Sequence, residues 1–370
     1  MLFKKYKLKY YNFILLFTVI AIMVFGVFII NSVNDEFTVK QAVGVGLSVV
    51  IMVVLSFVDY HFIAKFYLTL YIVSTVLLTA VLIGGSTVNN AKRWFTIAGI
   101  RFQPSELSKT LLIIFFAVFL SKFMEEEKVS TFRCIVTFVI FLAIPLLLIM
   151  KEPDLSTLIC ITMVLVTMFY LAGLSYKFIG VVLLILIPLF SVFIWYIQKP
   201  DQKLLYEHQV NRIMSFIYPS EYPDETMQQE NSVMAIGSGQ LMGKGLSTKG
   251  EASTSDTNLI SEQQTDFIFS AIGEYFGFFG SVIIIGIILI IVLQCIRAGR
   301  KARDDTGMLI ATGMGCLIGY QSFINIGVAT RLLPNTGIPL PFISYGLTSL
   351  ISSAIGIGIV LNICLQQRRY

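Results

Sequence analysis

Apolar runs of about 18 to 23 residues recur along the whole chain, and they limit its fold more than any other feature. A helix rises 1.5 Å per residue, so each run is long enough to cross a hydrocarbon core ~30 Å thick. Buried helices of water-soluble domains seldom stay apolar for so long. Composition agrees: of 370 residues 56% are hydrophobic and 13% charged, with a mean hydropathy of +0.81, whereas charged residues make up about a quarter of a soluble domain. The expected architecture is all-α: a polytopic integral membrane protein of about ten transmembrane helices, forming a single membrane domain over residues 1–370. The spans are expected at 11–30, 38–57, 66–84, 105–121, 133–150, 156–172, 178–197, 267–295, 307–330 and 343–365.

The first run follows a basic start, MLFKKYKLKYYNF, and continues to Ile30 without a small-residue cleavage site, so it is read as a span and not as a signal peptide. An even number of spans puts both termini on one side. Lys4, Lys5, Lys7 and Lys9, then Arg297, Arg300, Lys301 and Arg303, then Arg368 and Arg369, all fall on that side. Positive charge marks it as the cytoplasm. Residues 198–265 then form one large extracytoplasmic loop between helices 7 and 8. Within it NRIMSFIY, Asn211–Tyr218, has the pattern of a short amphipathic helix at the membrane surface. Cys134, Cys160, Cys295, Cys316 and Cys364 lie in or at the ends of apolar runs, which argues against a disulfide framework. His61 and His208 are the only histidines, which disfavours a histidine-rich metal site or a Ser-His-Asp triad.

The segment between the third and fourth spans breaks the charge rule. It should face outward, yet it carries Lys92, Arg93, Arg101 and Lys109. One reading has these side chains snorkelling to headgroups. The other is a cationic pocket for an anionic ligand, the abundant anions at that face being lipid phosphates. Pro104 suits a first helical turn, so the fourth span should start at Gln103 to Ser105. Glu106 and Lys109 then share one face, and neither charge tolerates lipid, so the pair is expected to look inward. Trp94 is read equally as an interfacial aromatic or as a platform for a sugar ring.

A second constellation lies where polar loop gives way to span eight, SEQQTDFIFSAIGEYFGFFG. Thr265 or Ser261 is a candidate cap and Asp266 an acid of the first turn. On a continuous helix Asp266, Ser270, Gly273 and Gly277 project onto one narrow, small and polar face. Such a face should turn into the bundle, placing Asp266 in a cavity at the outer surface, where it suits a general base for an incoming hydroxyl. Glu274 falls off that face and is read only as a buried polar contact. A third segment, PNTGIPLPFISYG, has three prolines that prevent regular helix; irregular backbone at membrane depth must be buried or line a cavity. Ser344 lies in it and Arg331 stands just before it, suited either to the cationic group or to headgroups.

Six blocks in this order, KRWF, RFQPSELSK, KEPDLST, AIGSGQLMGKG, EQQTDFIFSAIGE and TGIPLPFISYG, resemble the SEDS family (shape, elongation, division and sporulation). The likeness covers nearly the whole chain, and the opening YYNFILLFTVIAIMVFGVFIINS is most similar to the RodA branch, which serves cell elongation. The resemblance implies a peptidoglycan glycosyltransferase of the bacterial cytoplasmic membrane that polymerises lipid II, a disaccharide-pentapeptide on undecaprenyl pyrophosphate. It implies a class B penicillin-binding protein as partner, help from a divalent cation such as Mg²⁺ or Mn²⁺, and no nucleic-acid partner. Carried onto this sequence, Asp266 matches the family's essential aspartate and Glu106 with Lys109 its Glu–Lys pair. Arg93, Trp94 and Arg101 match outer-loop positions. Gln264 stands where many members have His, Tyr275 replaces a second Glu, Gln240 a Gly, and Leu347 and Thr348 a Gly-Ser.

With that chemistry, Asp266 is expected to act as the base. Lys109, Arg93 and Arg101 stabilise the leaving pyrophosphate, Glu106 orients Lys109, and Lys92, Trp94, Gln103, Ser105, Thr265, Ser270, Arg331 and Ser344 line the substrate site. A lipid flippase and a non-catalytic scaffold are the alternatives. A transporter usually shows repeat symmetry and midplane charges, whereas here the charges gather at one face.

Overall fold

The computed structural model describes residues 8–88, 91–97, 100–176, 178, 180, 184, 188, 192, 195–199, 207–246, 260 and 262–367. Among these, eight helices are long and apolar enough to cross a membrane. They are α1 Phe13–Val33, α2 Thr38–Ser56, α4 Tyr67–Gly84, α5 Pro104–Glu125, α6 Phe132–Lys151, α10 Ile268–Arg300, α11 Asp305–Ala329 and α12 Leu347–Leu365. The sixth expected span is the shorter apolar helix α7, Leu155–Leu171. The seventh, 178–197, falls mostly outside the described residues. The protein is therefore a multi-pass membrane protein.

Burial divides the helices. α5, α11 and α12 are buried over most of their length and form the centre. Around them α1, α2, α4, α6 and α10 turn Phe17, Val43, Ile72, Leu147, Leu289 and other large apolar side chains outward. In water such a surface would drive association; in hydrocarbon it matches its solvent. Helices approach closely where a glycine faces a neighbour's backbone. A Cβ on Gly26 of α1 would come within 2.8 Å of the Ile343 carbonyl, and one on Gly358 of α12 within 2.8 Å of the Met52 carbonyl of α2. Small residues at such contacts allow dense packing without an aqueous driving force.

The charged segment between α4 and α5 is not an irregular loop. It folds as a three-stranded antiparallel sheet, β1 Ser86–Val88, β2 Ala91–Ile97 and β3 Ile100–Phe102, in the order β1-β2-β3. Trp94 pairs with Ser86, and Thr96 with Arg101. Successive side chains on a strand point to opposite sides, so Arg93 and Trp94 are turned apart. The described part of the long loop is also ordered, as α8 Glu207–Ile217 and α9 Pro223–Ser238. α9 lies against the C-terminal end of α11: Gln229 Nε2 donates to the Val328 and Leu333 carbonyls (2.9 Å each) and Ser232 Oγ to the Ala329 carbonyl (2.8 Å). These donors from α9 add partners to carbonyls at and just beyond the end of α11, where intrahelical donors run out.

At the opposite end of the bundle, His61 of the short helix α3, Tyr60–Lys65, bridges two aspartates. Its Nδ1 lies 2.9 Å from Asp59 Oδ1 and its Nε2 2.7 Å from Asp304 Oδ2. Tyr60 donates to Asp304 (3.0 Å), and Gln366 Nε2, beyond α12, to Asp59 (2.8 Å). The cluster ties two helix connections to the end of α12. The hydrogen bond to Asp304 is the main cause raising His61 above its ordinary 6.5, burial opposing. Burial alone would raise Asp304, but hydrogen bonds from His61, the Gly307 N–H and Tyr60 hold it below its ordinary value. A base whose folded value is raised stabilises the fold fully below its unfolded value and loses that contribution as pH climbs through the folded one. The melting temperature in detergent should therefore fall as pH is raised from 6 to 9. In His61→Asn that dependence should vanish, with melting at pH 6 lowered by about 2–4 °C.

Candidate functional site

The site is built from several separated pieces of chain at the end that carries the sheet. α5 opens on Pro104, with Gln103 before it. The Gln103 N–H donates to Thr348 Oγ1 (3.2 Å), and its side-chain amide to Ser105 Oγ (3.0 Å) and Asp154 Oδ2 (3.1 Å). One turn on, Lys109 Nζ lies 2.7 Å from Glu106 Oε1, and the two side chains are 2% and 5% exposed. The pair faces the interior, as its spacing predicts. Lys109 also borders a narrow apolar gap lined by Ile113, Ile161, Val164, Leu165 and Leu317.

Asp154 connects this helix to the sheet. It caps α7, accepting from the Thr157 N–H (3.1 Å) and hydroxyl (2.9 Å), as an Asp three residues before a Thr at a helix start is suited to do. Its Oδ2 stands 3.8 Å from Arg93 Nη1. β2 thus turns Arg93 inward. Lys92 instead donates to the Ile83 carbonyl (2.7 Å) at the edge of the sheet, Trp94 is half-buried, and Arg101 is exposed.

Asp266 sits before α10, not within it. Its N–H bonds back to the Glu262 carbonyl (3.2 Å), and the helix begins at Ile268 with no side-chain cap. The single face expected for Asp266, Ser270, Gly273 and Gly277 is therefore not formed. Gly277 interrupts the helix at φ +62°, ψ −157°, a conformation open essentially to glycine. The glycine-rich segment after α9 fills the break. Lys244 and Gly245 donate their N–H groups to the Glu274 and Tyr275 carbonyls (3.0 Å each), and Phe278 and Phe279 donate to Gln240 and Leu241 (2.9 and 3.2 Å). A Cβ on Gly239, Gly243 or Gly277 would collide with the facing backbone. Glu274, fully buried, receives Lys244 Nζ at 2.8 Å. Ser270 is also buried and spends its hydroxyl on the Phe267 carbonyl (2.7 Å), while Gln263 Nε2 donates to it (3.1 Å).

The proline-rich segment closes the site. Ser344 Oγ donates to the Thr265 carbonyl (2.6 Å) and the Tyr345 N–H to the Gln264 carbonyl (2.8 Å). Asn325 of α11 donates to the carbonyls of both Asp266 (2.8 Å) and Ile338 (2.7 Å). Gly337, at φ +75°, faces the carboxylate: a Cβ there would lie 3.2 Å from Asp266 Oδ2 and 3.7 Å from Arg212 Nη1. Arg212 arrives from α8 and donates to the Thr336 carbonyl (3.5 Å), which also accepts from Ser156 Oγ. The Thr265 side chain turns back to the Glu262 carbonyl (2.9 Å), and Arg331 pairs with Glu230 of α9 (2.9 Å). Both lie beside the site.

The result is two carboxylates, Asp154 and Asp266, set among two guanidinium groups, Arg93 and Arg212. Burial is the largest influence on Asp266 and pushes it up to about 6; Arg93 and Arg212 oppose this, and Glu262 and Asp154 add to it. A carboxylate tuned there is ionised at neutral pH yet basic enough to accept a proton in a transition state. Sequence reasoning missed Arg212, Asp154 and Asn325. Asp154 had a readable signal in the capping pattern of KEPDLST; Arg212 and Asn325 acquire their places only through tertiary packing. Among the described residues no three His, Cys, Asp or Glu side chains gather as for a metal ion, and both carboxylates already have cationic neighbours.

Comparison with known proteins places the sequence and the fold among relatives. The pattern of the family described as cell cycle protein, FtsW, RodA and SpoVE, matches residues 6–369. A probable peptidoglycan glycosyltransferase FtsW of Geobacter sp. (strain M18) is 30% identical over 373 residues, covering 97% of this chain and 98% of that one. Peptidoglycan glycosyltransferase MrdB of Escherichia coli (strain K12) is 30% identical over 354 residues, covering 94% and 92%. The fold matches a chain from a structure of a peptidoglycan synthase complex described as coordinating polymerization and crosslinking, with TM-score 0.79, 24% identity and coverage of 96% and 97%. It also matches the rod shape determining protein RodA of Thermus thermophilus, with TM-score 0.71, 23% identity and coverage of 97% and 98%. Because the break in α10 needs a glycine, Gly277→Ala should destabilise the protein by about 1–3 kcal/mol, read as a lower melting temperature in detergent.

Proposed function

Because the chain belongs to the FtsW, RodA and SpoVE family of cell cycle proteins, we propose that it is a peptidoglycan glycosyltransferase. In this reading it polymerises lipid II into glycan strands at the outer face of the bacterial cytoplasmic membrane. The observation that carries the reading is Asp266, raised to about 6 and set beside Arg93 and Arg212. The opening of the chain favours the elongation branch. A class B penicillin-binding protein is the partner that would crosslink the product.

The reaction needs a base for a sugar 4-hydroxyl and positive charge for a departing pyrophosphate. Asp266 takes the hydroxyl proton as that oxygen attacks the anomeric carbon. The bond from this carbon to the pyrophosphate oxygen breaks, and its electron pair leaves with the phosphate. Arg93 and Arg212 meet the developing charge, and both present the planar, permanently charged group suited to phosphate oxygens. Arg101 on the exposed sheet edge extends the cationic surface, Trp94 offers a face for a sugar ring, and Glu106 fixes Lys109. Asp154 holds Arg93, while Asn325 and Ser344 fix the backbone around Asp266. A divalent cation would add positive charge at the same leaving group.

Purified protein reconstituted with lipid II should make long uncrosslinked glycan, resolved by gel. Asp266→Asn should make none while eluting and melting like the parent, and product from that variant sinks the assignment. The base must be deprotonated, so the parental rate should fall as pH drops through about 6. Arg212→Ala should raise KM for lipid II by roughly ten- to a hundredfold, the size expected for one charge-assisted contact of about 1.5–3 kcal/mol.

A further inference from the structure

One buried carboxyl beside the site takes part in none of these contacts. Glu152 follows α6 directly and precedes the Pro153–Asp154 turn; its backbone N–H closes the helix on the Leu148 and Ile149 carbonyls (3.2 and 3.1 Å). Its side chain has no exposed surface, and neither of its oxygens has a hydrogen-bond partner among the described residues. Asp154, two residues on, is the opposite case, with three donors and Arg93 close by. An ionised carboxylate needs donors when it leaves water, and without them the neutral acid is the stable form. The charged groups that face Glu152 are Asp154 from its own turn and Arg93 from β2. Burial, with Asp154 adding to it and Arg93 opposing, pushes Glu152 up to about 9.

The consequence lies in the charge balance around Arg93. With Glu152 neutral, Arg93 and Arg212 balance Asp154 and Asp266. An ionised Glu152 would add an uncompensated negative charge beside the guanidinium that meets an anionic substrate. We propose that Glu152 is a positioning residue that acts through Arg93: as the neutral acid it leaves the charge of Arg93 to Asp154, Asp266 and the pyrophosphate, and once ionised it draws that charge away. The inference rests on the glycosyltransferase reading. It extends that reading by assigning the upper pH limit of substrate binding to a group that never touches substrate.

Steady-state kinetics of the full chain with lipid II, from pH 7 to 10, test it. In the parent, KM should climb about tenfold per pH unit above about 9, the dependence of binding to one protonation state, while kcat changes less. Glu152→Gln, neutral and of the same shape, should keep KM at pH 7.5 within about threefold of the parent and abolish the climb. Titration of lipid II itself is common to both proteins, so their difference belongs to Glu152. Glu152→Asp keeps a titrating group on a shorter stem and should move the climb along the pH axis, so it serves if the glutamine variant does not fold. A flat KM in the parent, a climb that survives in Glu152→Gln, or an unmoved one in Glu152→Asp overturns the role of Glu152. Glycan from Asp266→Asn instead overturns the reading beneath it.

Discussion

Asn325 holds two carbonyl oxygens at once, those of Asp266 and Ile338, and the arrangement of the site depends on that bridge. The chain around both positions is irregular, and irregular backbone near hydrocarbon survives only when protein groups satisfy it. Each unpaired carbonyl there would cost about 1–3 kcal/mol or more. Ser344, the Tyr345 N–H and the α9 residues Gln229 and Ser232 complete the same task at neighbouring carbonyls. The site is thus framed by hydrogen bonds from segments far apart in sequence, with α11 as the common support.

That frame explains how charges can stand where lipid is close. In the proposed reaction Arg93 and Arg212 would carry the charge a leaving pyrophosphate requires, and each is held by an acceptor, Asp154 or the Thr336 carbonyl. For Asp266 burial works against the guanidinium groups, and the balance leaves it at about 6. A fully paired, exposed aspartate would be too weak a base, whereas a buried one without cations would stay protonated. Glu152, buried with no hydrogen-bond donor among the described residues, lies nearer that second extreme even with Arg93 opposing.

Much of this was legible in the sequence, and the gaps have physical causes. Length and hydropathy are local properties, so eight of the expected spans could be read directly, and the i, i+3 spacing of Glu106 and Lys109 fixed their common face. Asp266 stood out as a carboxylate at the mouth of a span. The helical face drawn through it failed because Gly277 was read as a small packing residue, whereas its positive φ breaks the helix to admit the chain at Gln240–Gly245. Arg331 was read as suited either to the cationic group or to headgroups, and packing turns it to Glu230. The sheet that aims Arg93 was hidden by its short strands. Arg212 was hidden because its helix was read only for its apolar stripe.

The break at Gly277 also divides the helix by length. From Phe278 to Ile296, before the basic end, the helix runs for nineteen residues, a rise of about 28 Å, close to the ~30 Å of a hydrocarbon core. The nine residues from Ile268 to Phe276 are therefore surplus to crossing the membrane. They are buried in protein except for Phe276, which is partly covered. A change in bilayer thickness acts on the lower rod, which adapts by tilting, while the upper cap is tied to the loop through Lys244 and Gly245. Catalytic geometry and membrane fit are carried by different stretches of one helix, so either can vary without disturbing the other.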